Sequence, residues 1–202
     1  MTKTEMIDSK TLKRWQKEIS EWHQKVALEF LNLDSEDTST LKTFAQKYAK
    51  KDPESHVATD VASFMKGDIK KLWELQREFR ADVLDIISFK PSNKDVTPLY
   101  RVAEKLIRYT KDREPEWQID STGKHNPHLI EKFPPEKEFP VMLYNWLTHD
   151  IIEEGRIIKV CASTNCRNFF VPSGRNAWRM RYCSERCRER EAKRRYRKKL
   201  SP

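Results

Sequence analysis

All four cysteines of the 202-residue chain fall in one short window, CASTNC followed by CSERC, with the spacing C-x4-C-x16-C-x3-C at Cys161, Cys166, Cys183 and Cys187. Two close pairs separated by a short excursion bring four sulfurs within reach of one tetrahedral ion, the geometry that Zn²⁺ prefers and that thiolates satisfy. The amino-terminal sequence MTKTEMIDSKTLKRW has no apolar secretory stretch, and no window reaches the ~18 apolar residues of a membrane span. The expected setting is therefore the reducing cytoplasm, with no membrane partner, where clustered cysteines point to metal rather than to disulfides. A redox pair would favour C-x-x-C with an activated thiol, and inert burial of four cysteines suits a less polar window. Four Cys ligands close the coordination shell and leave no place for a reactive water, so the expected cofactor is one structural zinc ion.

Charge divides the chain at the same place. Residues 161–202 hold 13 Lys and Arg against 3 Glu, a balance of +10, while the first 160 residues hold 27 basic and 28 acidic side chains, a balance of −1. The expected organisation is thus two parts, a helical domain over 1–155 and a zinc finger with a basic helix over 156–202.

The first part reads as α-helical. Leu12, Trp15, Ile19, Trp22, Val26, Phe30 and Leu33 form one apolar stripe behind a cap at Asp8 or Ser9. A second helix is predicted from Asp68, just after Gly67, with Ile69, Leu72, Trp73, Phe79, Val83, Ile86 and Ile87 on its apolar face. Thr97-Pro98 opens a third helix. Phe139-Pro140 opens a fourth, with Gly155 as its stop. The stretch 115–138, with its diproline Pro134-Pro135, reads as a loop or short hairpin. No catalytic constellation emerges, and the chain is not expected to be an enzyme. His125 and His128 lie in a Pro-containing loop with no Cys or carboxylate partner in the motif. His149-Asp150 lacks a nucleophile elbow and a Gly-rich loop.

In the second part, Phe169-Phe170-Val171 reads as a strand, Pro172-Ser173-Gly174 as a turn and Met180-Arg181-Tyr182 as the return strand. Ser184 is a good N-cap for a helix running through Lys199. The expected fold is mainly α, ending in a treble-clef-like finger. Arg167, Arg181, Arg186 and Arg188 lie close enough in sequence to offset the −2 charge of a zinc tetrathiolate. The run Arg194, Arg195, Arg197, Lys198, Lys199 repels itself and is steadied by a polyanion alongside. Arginine outnumbers lysine there, which suits fork-like phosphate contacts.

The block CASTNCRNFFVPSGRNAWRMRYCSERCREREAKRRYRKK resembles the CGNR-type zinc finger at the C-terminus of bacterial proteins described as stress-induced transcriptional regulators. The likeness rests on Cys161-x4-Cys166, Phe169-Phe170, Ser173-x-Arg175-Asn176, Tyr182-Cys183-Ser184 and the basic tail. The eponymous Cys-Gly-Asn-Arg is here Cys187-Arg188-Glu189-Arg190, so no role of the Gly-Asn pair carries over, and the second cysteine pair is one residue narrower than usual. Charge, module type and resemblance together imply a cytoplasmic, nucleoid-associated regulator that binds nucleic acid, DNA in preference to RNA. The expected contacts are Arg175, Asn176, Arg179, Arg181, Arg190, Arg194, Arg195 and Arg197, with Asn176 or Arg179 reading a base edge. The alternative is a zinc-stabilised protein-interaction or ribosome-associated module. The helical domain leaves room for a small-molecule or protein effector, and the chain for a homodimer.

Overall fold

Residues 9–33, 37–48, 61–65, 67–88, 97–111, 114–118, 128–132 and 134–200 are described by a computed structural model. The expected main-α architecture is present. Helix α1 spans Ser9–Leu31, α2 Thr38–Lys47, α3 Val61–Met65, α4 Ile69–Ser88 and α5 Thr97–Thr110. An antiparallel ribbon follows, β1 (Glu114–Gln118) with β2 (His128–Lys132). Helix α6 (Pro135–Asn145) then runs straight into a π-helical segment, Trp146–Glu153. Strands β3 (Lys159–Val160) and β4 (Phe169–Phe170), a 3₁₀ turn at Ala177–Arg179 and helix α7 (Glu185–Leu200) complete the chain. No described helix is long and apolar enough to cross a membrane.

The core is built where the helical stripes meet. Phe30 of α1 packs at 5.3 Å from Phe44 of α2 and edge-on at 5.1 Å from Phe139 of α6, between ring centroids. Leu72, Phe79 and Val83 of α4 and Tyr144, Trp146 and Leu147 add to the same cluster. Burial of such large side chains stabilises by roughly 1.5–3 kcal/mol each. Trp22 is partly buried against this core; the side chains of Leu12, Trp15 and Ile19, together with Asp8 and His125, lie outside the described residues. Helix α4 begins as expected, with the Asp68 carboxylate accepting from the Lys70 N–H at 2.9 Å.

Three local readings differ from the observed chain. Helix α2 was not foreseen, although Leu41, Phe44, Ala45 and Tyr48 keep helical spacing and Asp37 caps it by accepting from the Ser39 N–H at 2.8 Å. Helix α6 starts at Pro135 rather than at Pro140. Pro134 is its extended N-cap and Pro135 takes the first turn, where a missing N–H costs nothing, while Glu136 and Glu138 face the positive end of the helix. Pro140 is left inside α6. The third concerns the finger's ribbon. Phe169-Phe170 pairs backwards with Lys159-Val160, not forwards with Met180–Tyr182. The Lys159 ammonium donates to the carbonyls of Ala177, Trp178 and Met180, at 3.3, 2.6 and 3.0 Å, and so folds 177–180 into a turn. Of the expected return strand, Arg181 keeps one backbone bond, from the Ala162 N–H at 2.8 Å.

Finger and helical body touch along one seam. Ile158 and Phe169 are buried in the same apolar cluster as α1 and α4. At the end of α1, the Asn32 amide donates to the Phe169 carbonyl at 3.0 Å and accepts the Phe169 N–H at 2.7 Å. The Arg80 guanidinium lies 4.8 Å from the Phe169 ring centroid and donates to the Leu31 carbonyl at 2.8 Å. Beside Gly155, whose φ of +64° turns the chain, Arg156 reaches the buried Asp150 of the π segment at 3.6 Å. Asp150 also accepts from the Ser20 hydroxyl at 2.9 Å.

Replacing Asn32 with Ala removes both seam bonds at once. Each bond contributes about 0.5–1.5 kcal/mol, so urea unfolding should show a loss of about 1–3 kcal/mol. A second prediction follows from His23, whose burial lowers its pKa despite the nearby Asp150 carboxylate. The folded protein therefore favours neutral His23, whereas the unfolded chain takes up the proton below about pH 6.5. Stability from this residue is present above that pH and falls as acid is added. In urea titrations at pH 7.5 and 5.5, His23→Gln should lose less stability on acidification than the parent protein.

Candidate metal centre and basic face

The metal centre is assembled from two local structures. The loop between β3 and β4 carries the first cysteine pair. It is closed by the Cys161 N–H on the Asn168 carbonyl at 2.8 Å and the Cys166 N–H on the Ser163 carbonyl at 3.1 Å. Leaving this loop, Arg167 takes φ +52°, the left-handed region that costs a side-chain-bearing residue about 1–2 kcal/mol. The second pair sits at the start of α7. Ser184 caps that helix by accepting the Cys187 N–H at 3.3 Å, and a four-residue step places Cys183 and Cys187 one turn apart.

The four sulfurs converge. All lie within 4.8 Å of one another, with Cys166 and Cys183 at 3.5 Å and Cys183 and Cys187 at 3.7 Å. A tetrahedral ion with zinc–sulfur bonds of 2.3 Å requires sulfurs about 3.8 Å apart, so the cage fits. Cys161 and Cys187 are buried, and the Cys183 N–H points at the Cys161 sulfur at 3.5 Å. Burial pushes the Cys166 and Cys183 thiols up, while the Ser184 hydroxyl draws Cys187 down to about 7. Four thiolates this close repel strongly, and a dication at their centre removes that repulsion. The donor set is thus closed, soft and suited to a structural ion.

From this root α7 carries its charge outward in an ordered way. Glu191 is turned inward and buried, and its carboxylate accepts from Arg194 Nε at 3.0 Å and Nη2 at 2.6 Å. That pairing holds Glu191 below the usual carboxylate range. Arg195 donates to the Tyr182 hydroxyl at 3.0 Å. Arg194 is thus paired within the helix, while Arg195 fastens the helix to the finger at Tyr182. Arg190 and Arg197 stand instead on an exposed stripe with Arg186 and Lys193, at spacings i, i+4, i+7 and i+11. Arg186 and Lys193 were not among the expected contacts, although the same helical spacing is visible in the sequence. Arg188 is paired with Glu185. Arg175 and Asn176 are exposed just after Gly174, Arg181 is exposed too, and the Arg179 guanidinium lies 4.4 Å from the Trp178 ring centroid. Asn176, Arg179 and Arg181 share one cleft; the stripe on α7 is a separate feature.

A cysteine-bearing ribbon followed by a helix that returns two more cysteines is the arrangement of a small zinc finger. Residues 157–199 match the family described as the CGNR zinc finger, in agreement with the resemblance carried by the cysteine motifs. Comparison with curated proteins gives no match.

Because Arg167 occupies a backbone conformation that glycine adopts freely, Arg167→Gly should stabilise the finger. The gain expected in chemical denaturation is about 0.5–1 kcal/mol, after the extra chain entropy of glycine is set against the relieved strain.

Proposed function

We propose that this chain is a zinc-dependent nucleic-acid-binding protein, a DNA-binding transcriptional regulator rather than an enzyme, with 156–202 as the binding module and the helical domain over 1–155 receiving an effector. Cys161, Cys166, Cys183 and Cys187 hold one zinc ion, whose role is to cross-link the β3–β4 loop to the first turn of α7. The reading rests on one observation: the tetrathiol cluster lies at the root of a helix whose exposed flank carries Arg186, Arg190, Lys193 and Arg197. Four cations at one-turn intervals match a run of phosphates better than they match solvent. Arg195 serves this surface indirectly, through its bond to Tyr182 beside the root of the helix. Arg175 and Arg181 extend the basic surface towards the turn.

Two measurements test this. Protein purified without added zinc should contain one metal equivalent. Replacing any one of the four cysteines with Ser should abolish that equivalent and release the helical signal of α7, because folding and metal binding are coupled in so small a unit. Titration of duplex DNA at increasing salt should give a log–log slope near −4, from about four neutralised phosphates. Arg190→Ala and Arg197→Ala should each reduce the slope by about one and weaken all sequences alike. A defined complex with a protein partner that survives nuclease and high salt would instead favour the interaction-module reading.

A further inference from the structure

One feature of the finger is unused by a helix lying along phosphates. Trp178, in the 3₁₀ turn, is 62% exposed although it belongs to one of the best-braced turns of the chain. Lys159 donates three bonds to carbonyls of that turn, so the indole sits on a fixed base. The Arg179 guanidinium covers one flank of the ring at 4.4 Å from its centroid. Next to it opens a cleft of about 350 Å³ lined by Asn176, Arg179, Arg181, Tyr182, Glu185 and Arg188, among other residues, with Glu185 neutralised by its pairing to Arg188. That volume is at the lower end of small-ligand sites.

We propose that this turn and cleft take one unpaired nucleotide, its base stacked on the Trp178 indole and its phosphate among Arg179 and Arg181, with the Asn176 amide at the base edge. This rests on the nucleic-acid reading above and adds the class of substrate. In a fully paired duplex each base face is already covered by its neighbours, so an exposed indole gains little from it. An unstacked base offers a free π-face, and aromatic rings backed by guanidinium groups are the usual platform for it. The Asn side chain supplies both a donor and an acceptor, which a base edge can use in either order. The stripe on α7 follows the flanking backbone, while the cleft receives what is unpaired.

The test uses the full-length zinc-loaded protein and three oligonucleotides of one sequence: single-stranded, fully paired, and paired with one bulged nucleotide. Binding is read by fluorescence anisotropy for the parent protein, Trp178→Ala and Trp178→Phe. Because Trp178 is exposed, zinc content and melting temperature should be unchanged in both variants, which serves as the folding control. The expected result is a preference of about tenfold for the single-stranded and bulged forms, lost in Trp178→Ala and largely kept in Trp178→Phe, with paired-duplex affinity unaltered. Equal losses on all three forms would mean a wedge or a general support and would overturn the inference, as would the absence of any preference in the parent protein. In both cases salt-dependent duplex binding would leave the proposed function standing. Failure of the parent protein to bind any of the three would bring down both.

Discussion

Four sulfurs within 4.8 Å of each other are the constraint on which the finger depends. Around them the apolar material is thin. Phe170 is the one buried aromatic that packs with the cysteines, helped by the partly buried Tyr182, while Phe169 is committed to the core of the helical body. A segment this rich in like charge cannot bury enough apolar surface to order itself. A metal ion held by the four sulfurs would cross-link the β3–β4 loop to the start of α7 and stand in for that missing core. Every further feature is arranged outward from it: the capped first turn of α7, the inward Glu191 that tethers Arg194, and the cations that remain on the outer flank.

How much of this was legible in the sequence depended on how local the signal was. The cysteine cage could be read outright, because paired spacing alone restricts where the sulfurs can go. Helices α1, α4 and α5 were legible from their apolar periodicity and from Asp68 and Thr97-Pro98 at their starts. Helix α2 carries the same kind of pattern but over ten residues, too short for the stripe to stand out. The start of α6 was misplaced because Pro134-Pro135 and Pro140 offered competing starts and only packing selects between them. The strand partner of Phe169-Phe170 could not be read from its own neighbourhood. Lys159-Val160 lies upstream of the first cysteine, and what removes Met180–Tyr182 from the sheet is a lysine side chain 18 to 21 residues away from the carbonyls it gathers. Likewise the pairing of Arg194 follows from the burial of Glu191, which a count of charges does not reveal.

The body and finger divide their labour by charge. The helical part is near neutral and pairs its charges with one another, as where Lys105 bridges Glu78 and the buried Asp82, which also accepts from Tyr144. The excess positive charge is confined to the last fifth of the chain. Arg156 with Asp150 and Ser20, and Asn32 with Phe169, are polar links between the two.

The Asn32 amide has a consequence beyond fastening. A ribbon of two residues per strand has two free edges, and each presents unpaired peptide groups to which another extended chain can add. At Phe169 the outward-facing N–H and C=O are occupied by a side chain that mimics a peptide in both polarity and spacing. Asn32 in effect supplies a third strand one residue long, ending the sheet where it would otherwise invite strand addition. A finger cut away from its body would keep its cysteines and its basic helix yet expose that edge. The helical part thereby acts as an internal guard against aggregation for the segment it carries.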